Sequence, residues 1–90
     1  MVLNSKPKLT EDGVIMEFAT DDERDSELLR VALFCYINAR VEDLPDNTRI
    51  TVERDGLDVR VIANKGRDEV RHVVRKCLRL LYDEPDNGKE

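Results

Sequence analysis

The sequence predicts an α+β fold of two layers, in which a three-stranded antiparallel sheet carries two helices on one face. Three observations predict this fold: the periodic segments follow the order strand, helix, strand, strand, helix; both helical segments carry an apolar stripe; and an Asp-Gly pair divides two alternating segments. Sheets and helices that are apolar on one side bury those sides against each other. We expect a flexible lead-in over residues 1–12, one domain over residues 13–82 and a disordered acidic tail over residues 83–90.

The first strand leads directly into the first helix. In VIMEFA (14–19), every second residue from the first onward is apolar, which is the period of a strand. TDDE (20–23) has the spacing of a capping box, in which the Thr20 side chain caps the helix and Glu23 reaches back to the Thr20 N–H. A helix is therefore predicted over residues 21–41, and a turn containing proline follows it.

The second half of the domain is predicted to be a hairpin and a helix. TRITVER (48–54) and LDVRVIA (57–63) both alternate, and Asp55 and Gly56 between them favour a tight turn because both can adopt positive φ. The second helix is predicted over residues 67–82. Its apolar stripe, which is expected to face the sheet, follows helical spacing and comprises Val70, Val73, Val74, Cys77, Leu78 and Leu81. Both cysteines fall in apolar helical patterns and are expected to be buried, reduced thiols.

The first helix has more apolar residues than one buried face requires. Its core face is predicted to comprise Leu28, Val31, Ala32, Cys35, Tyr36 and Ala39. Further apolar residues then lie on other faces, and the predicted partner-binding residues are Leu29, Leu33, Phe34 and Ile37. A helix that is apolar on all sides is buried on all sides. Either these residues pack under the hairpin or the N-terminal arm, or they form an interface with another protein or another copy.

The second helix is basic on its outer face. Arg67, Arg71, Arg75 and Arg79 recur every four residues, and Lys76 and His72 lie on the same side. Neighbouring like charges on a helix repel each other by roughly 0.2–0.5 kcal/mol per pair. The face is either solvated and ion-paired with another element, or it binds an acidic partner or RNA phosphates, for which arginine is well suited. The predicted residues for such binding are Arg67, Arg71, Arg75, Lys76 and Arg79.

Composition and motifs exclude several classes of function. The net charge of -5 argues against non-specific binding of nucleic acid or anionic membrane by the whole surface. We expect neither a signal peptide nor a transmembrane helix, and a cytoplasmic location. The single histidine cannot form a metal site alone, and no glycine-rich phosphate loop or catalytic set is recognisable. We therefore expect no enzymatic activity, no metal and no cofactor.

Three segments resemble the small dimerising subunit of the KEOPS complex, which installs threonylcarbamoyladenosine on tRNA. VIMEFATDDE (14–23) resembles that family's opening strand and helix start, LPDN (44–47) resembles the turn after its first helix, and residues 70–81 resemble its last helix. The resemblance implies a non-catalytic subunit that forms a homodimer, or a heterodimer with a paralogue, through its sheet. It also implies that the helices dock a larger transferase subunit and that the subunit helps to hold tRNA.

Two other hypotheses stay open. The hairpin followed by a basic helix also suits a small RNA-binding α/β module of the ribosomal or signal-recognition type. A structural adaptor in a different complex is equally compatible with the sequence.

Overall fold

The sheet is built from five antiparallel strands within residues 3–4 and 7–82, which the computed structural model describes. The short strands β1 (Leu3–Asn4) and β2 (Lys8–Leu9) both pair with β3 (Val14–Ala19). The hairpin strands β4 (Ile50–Asp55) and β5 (Asp58–Ala63) pair with each other, and β5 also pairs with β3. The order is β1-β3-β5-β4, so β4 forms one edge of the described sheet.

The α+β class is confirmed, and the sheet has more strands than predicted. The three predicted strands correspond to β3, β4 and β5, each of six residues. The additional β1 and β2 have two residues each and lie in the segment predicted as a flexible lead-in. Two residues are too few to show alternation, so sequence periodicity cannot reveal such strands. The tail predicted over residues 83–90 lies outside the described residues.

Two helices, α1 (Glu23–Ala39) and α2 (Arg67–Tyr82), pack on the same face of the sheet, and a short 3₁₀ turn (Val41–Asp43) follows α1. One face of the three long strands and one side of each helix enclose a single core. Its buried apolar side chains are Val14, Met16, Phe18, Leu29, Leu33, Ile37, Leu44, Val59, Val61, Ala63, Val70, Val73, Val74 and Cys77.

The cap of α1 differs from the predicted capping box. Asp22 is the N-cap, and its carboxylate accepts a hydrogen bond of 2.8 Å from the backbone N–H of Asp25. Thr20 is instead buried, and its hydroxyl donates to the carbonyl of Leu57 at 2.7 Å. Because the Thr20 hydroxyl joins β3 to the hairpin turn, it does not cap the helix. The helix consequently begins at Glu23, two residues later than predicted.

The buried side of α1 was also predicted wrongly. Its core face consists of Ser26, Leu29, Leu33 and Ile37. Of the predicted core face, Ala32 and Tyr36 are partly buried against the core, whereas the exposed members are Leu28, Val31, Cys35 and Ala39. Ser26 shows why this side is buried. Its hydroxyl lies within hydrogen-bond distance of the carbonyl oxygens of Glu23 and Gly56, at 2.8 and 3.0 Å, and accepts from Arg54, so a small polar residue fits against the hairpin turn. Helical spacing could not separate two sides that are both apolar.

The hairpin turn is shifted by one residue from the prediction. Gly56 and Leu57 form the two-residue turn, and Asp55 ends β4. Gly56 has φ 65°, a conformation that glycine adopts without steric cost. Helix α2 has the predicted bounds and begins after Gly66, whose φ is also positive and where an added Cβ would lie 2.8 Å from Cδ of Pro45.

Candidate interaction surfaces

The outer side of α1, away from the sheet, is apolar over most of its length. We define the α1 outer face by Leu28, Val31, Phe34 and Cys35, together with Val41 just beyond the helix. Leu28 is 59% exposed, Phe34 and Val41 are each 55% exposed, and Val31 is 42% exposed. At its N-terminal end this face continues to Leu81 of α2, which with Leu28 and Tyr82 lines a small depression. The domain therefore has a surplus of apolar surface on α1, as the sequence predicts.

Three of the four predicted partner-binding residues are buried in the structure. Leu29 and Leu33 are completely buried and Ile37 is 6% exposed, so these three side chains belong to the core and are not accessible to a partner. Their assignment to an interface is wrong because α1 is rotated relative to the predicted orientation. Phe34 alone among the four is exposed. The exposed apolar residues of α1 that the sequence pattern assigned to the core are Leu28, Val31, Cys35 and Ala39.

A groove lies between the C-terminal half of α1 and the edge strand β4. Its volume is about 200 Å³. Phe34 and Val41 form its outer wall, and Ile50 and Val52 of β4, both half-buried, form its floor on the sheet side. The α1 outer face is thus continuous with the apolar side of β4.

The outer side of α2 carries the cations that the sequence predicts. Arg75, Lys76 and Arg79 are exposed and Arg71 is half-buried. Among the described carboxylates, none lies within 4.0 Å of the charged nitrogens of Arg71, Arg75 or Lys76. The hypothesis of ion pairs with a neighbouring element is therefore not supported for these three residues within residues 7–82. We call Arg71, Arg75, Lys76 and Arg79 the α2 basic face.

Arg67 has a different role from the α2 basic face. Its guanidinium donates to the backbone carbonyls of Thr10 and Glu11, at 2.9 and 2.8 Å. These bonds hold the turn between β2 and β3 against the start of α2. Both bonds use the same guanidinium nitrogen, so Arg67 has a structural role that the sequence did not predict, and its assignment to RNA or an acidic partner stays a prediction.

Three arginines outside α2, namely Arg30, Arg54 and Arg60, are paired with described carboxylates. On the open face of the sheet, Arg60 lies between Glu17 and Glu53, at 3.2 and 2.9 Å. On α1, Arg30 binds Glu27 at 2.6 Å, and this hydrogen bond is the main reason why the pKa of Glu27 is lowered. Within residues 7–82, the arginines that pair with carboxylates thus lie on α1 and on the sheet, whereas Arg71 and Arg75 have no such partner.

The two cysteines have opposite environments. Cys77 is buried beneath α2, and burial raises the pKa of its thiol. Cys35 is exposed on the α1 outer face, so the prediction of a buried thiol is wrong for this residue. Burial likewise raises the pKa of Tyr82 at the end of α2.

The described residues show no assembled metal or membrane-spanning element. No group of three or more His, Cys, Asp or Glu side chains in this part of the chain is arranged to hold a metal ion. His72 is exposed, whereas Cys77 is buried. A polar cleft of about 300 Å³ is lined by His72 together with Arg40, Asp43, Glu69 and Lys76. Within residues 3–4 and 7–82, neither helix has the length and apolar character needed to cross a bilayer.

Comparison with protein-family models, with curated proteins and with solved structures found no match to this chain.

Proposed function

We propose that this protein is a non-catalytic assembly subunit that docks a larger protein through the α1 outer face. The observation that carries this proposal is that Leu28, Val31 and Phe34 stay 42–59% exposed although the core beneath α1 is complete. Scattered exposed apolar residues are ordinary, but a contiguous apolar helix face rimmed by charge is typical of a protein interface. The acidic residues Asp22 and Glu23 at one end of α1, and Glu42 just beyond the other end, form such a rim.

The more specific proposal is a subunit of a KEOPS-like tRNA-modifying complex. The resemblance on residues 14–23, 44–47 and 70–81 implies it, and the order of the long elements supports it, because β3, α1, β4, β5 and α2 follow the β-α-β-β-α order expected of that family. In this proposal the partner at α1 is the threonylcarbamoyl-transferring subunit, and the subunit itself, or a paralogue, supplies the dimer.

The α2 basic face supplies the second contact of the proposed subunit. Arg71, Arg75 and Lys76 are without described carboxylate partners, and guanidinium groups bind phosphate through a fixed fork of donors. We assign this face to tRNA phosphates or to an acidic surface of the partner. The alternative of a free-standing RNA-binding module is favoured by this face alone, but it gives no role to the exposed apolar residues of α1.

Coexpression with the transferase subunit tests the proposal. We expect the wild-type chain to copurify with it, and Leu28→Asp or Val31→Asp to abolish copurification, since a charge on the apolar face must be desolvated on docking. Leu28→Met is the matched control, because it keeps an apolar side chain of similar volume and should retain the complex. All three variants should keep the wild-type unfolding midpoint, because both positions are exposed.

Two results would count against the proposal. If the Asp variants copurify as well as the wild type does, the α1 outer face is not the docking surface. If no variant and no wild-type chain binds the transferase but the chain binds tRNA at low salt, the free-standing RNA-binding module is the better description.

A further inference from the structure

The polar cleft between the end of α1 and the first half of α2 is a separate candidate site, which shares only Lys76 with the α2 basic face. Its α2 wall consists of Glu69, His72, Val73 and Lys76, whose spacing of i, i+3, i+4 and i+7 places them on one side of the helix. Its other wall consists of Arg40, the C-cap of α1, and Asp43, which ends the 3₁₀ turn. Each wall therefore carries a permanent cation and a carboxylate.

The backbone places Arg40 and Asp43 on the same side of their turn. The Asp43 N–H donates to the Arg40 carbonyl at 2.9 Å, which is the hydrogen bond of a 3₁₀ turn. Side chains three residues apart in such a turn are eclipsed, so both side chains line the cleft together. Val73 is 4% exposed and forms an apolar floor beneath the charged groups.

The opposite charges of the cleft do not pair with each other. Among the described carboxylates, none lies within 4.0 Å of a charged nitrogen of Arg40 or Lys76. Residues at the same spacing do pair on α1, where Arg30 binds Glu27 at 2.6 Å. The guanidinium of Arg40 instead stacks on Tyr36, with its central carbon 3.6 Å from the ring centroid. Stacking is favourable for a guanidinium and leaves its in-plane N–H donors available for a ligand.

We propose that this cleft binds a small zwitterion of the α-amino-acid class. Arg40 and Lys76 bind the carboxylate of the ligand, and Asp43 and Glu69 bind its ammonium group. Charge complementarity selects this class, because the two carboxylates of the cleft repel a phosphate or another simple anion and its two cations repel a simple cation. Hydrogen bonds between ionised groups are roughly twice as strong as those between neutral groups, so both ends of a zwitterion contribute.

The size and the lining of the cleft fit a ligand of this class. Pockets that bind small molecules measure about 300–1,000 Å³, and this cleft of about 300 Å³ lies at the lower end of that range. Apart from Val73 its lining residues are polar, so recognition depends on charge rather than on apolar burial. The inference goes beyond the proposed function and does not depend on it.

Titration of the full chain with each of the common α-amino acids, followed by two-dimensional NMR of the backbone amides, tests the proposal. We expect at least one amino acid to shift the amide signals of residues 40–43 and 69–76 to saturation, while those of β3 stay unchanged. For the tightest-binding amino acid, N-acetylation and amidation of the carboxylate each remove one charge. Each modification should raise the dissociation constant about threefold to tenfold.

Substitutions on each wall assign the two ends of the ligand. Asp43→Asn and Lys76→Gln should each raise the dissociation constant about threefold to tenfold and keep the fold, because both side chains are exposed. Glu42→Gln and Arg75→Gln are the charge-matched controls, since these sequence neighbours are not among the residues that line the cleft, and should leave it unchanged.

The modified ligands make the assignment specific. In the Asp43→Asn variant, N-acetylation of the ligand should weaken binding less than it does in the wild type, whereas amidation should weaken it as much as before. This coupling identifies Asp43 as a partner of the ammonium group, which a general change in charge or fold would not produce.

Three results would overturn the proposal. The first is the lack of a saturable shift at the cleft with any of the amino acids. The second is binding of acetate or inorganic phosphate as tight as that of the best amino acid, which would describe a site for anions only. The third is equal weakening by the cleft variants and their controls. None of these measurements includes the transferase, tRNA or Leu28, so failure here is distinct from failure of the proposed docking function.

Discussion

The outer faces of α1 and α2 are both exposed, yet they are opposite in chemistry. The α1 outer face presents Leu28, Val31 and Phe34 to solvent, whereas the α2 basic face presents Arg75 and Lys76. Neither arrangement stabilises the isolated domain: exposed apolar side chains contribute little burial, and neighbouring like charges repel. Departures from local consistency on two surfaces of one small domain support the proposal that each surface makes a contact outside the domain.

The largest expected effect tests whether the outer face of α1 is separate from its buried side. Leu33 is completely buried and Phe34, the next residue, is 55% exposed. We expect Leu33→Ala to lower the free energy of unfolding by about 2–5 kcal/mol, because it leaves a cavity in the core. Phe34→Ala should change it by about 0.5 kcal/mol or less. Urea unfolding followed by circular dichroism measures both, at a concentration where the wild type is monomeric.

The pair of variants also provides its own control, since the two substitutions are adjacent and both remove apolar volume. Equal destabilisation by both would mean that Phe34 belongs to the core and that α1 has no free apolar face. A stable Leu33→Ala variant would mean that α1 is rotated to the orientation predicted from the sequence.

A smaller effect separates Arg67 from the α2 basic face. Arg67 donates to the carbonyls of Thr10 and Glu11, so Arg67→Ala should lower the free energy of unfolding by about 1 kcal/mol. Arg75→Ala is the matched control, and should change it by less than about 0.5 kcal/mol because its side chain is exposed. Amide hydrogen exchange should also quicken near Lys8 and Leu9 in the Arg67 variant alone. Equal effects of both substitutions would contradict the distinction.

The predictable part of the fold is that which rests on strong, unambiguous periodicity. Helix α2 was predicted with its bounds and most of its buried side, because only one of its sides is apolar and the other is charged. Strands β3, β4 and β5 were likewise evident from alternation and from the Asp-Gly pair, although the turn is one residue later than predicted.

The site was less predictable, for reasons that lie in tertiary structure. On α1 two sides are apolar, and the choice between them depends on contacts with the hairpin turn, such as the one that Ser26 makes with Gly56. The free edge of β4 depends on strand order, which one sequence does not specify. Arg67 was grouped with the other arginines by spacing alone, whereas its position beside the turn at residues 10–11 gives it a different role.

The α2 basic face can be tested through the salt dependence of tRNA binding, because substitutions of its exposed side chains have little effect on stability. If Arg75 and Lys76 contact tRNA phosphates, the double variant Arg75→Gln/Lys76→Gln should reduce the slope of log K against log salt by roughly 1.4–1.8, at about 0.7–0.9 per contact. Fluorescence titration of labelled tRNA at several salt concentrations measures the slope. Arg30→Gln is the control, because Arg30 is paired with Glu27 on the other helix. An unchanged slope in the double variant would exclude these two cations from RNA binding.

The smallest expected effect concerns the reactivity of the two thiols, which distinguishes the exposed side of the helix layer from its buried side. Cys35 on the α1 outer face should react with a thiol reagent in the folded domain, whereas Cys77 should react only after unfolding. Burial raises the pKa of Cys77 above that of the unfolded chain, so the folded state keeps this proton longer. The resulting stabilisation is complete below the pKa of the unfolded thiol and is lost as the pH rises through the folded value.

Counting reactive thiols at pH 8 therefore sharpens the comparison between the helices. We expect one rapidly modified thiol per folded chain, two in denaturant, and none in the folded Cys35→Ser variant. Docking of a protein partner on α1 should slow the modification of Cys35, whereas binding of RNA on α2 should leave it unchanged, because the two faces are different surfaces. A thiol that stays equally reactive in a complex with the transferase subunit would show that the partner does not cover the middle of α1.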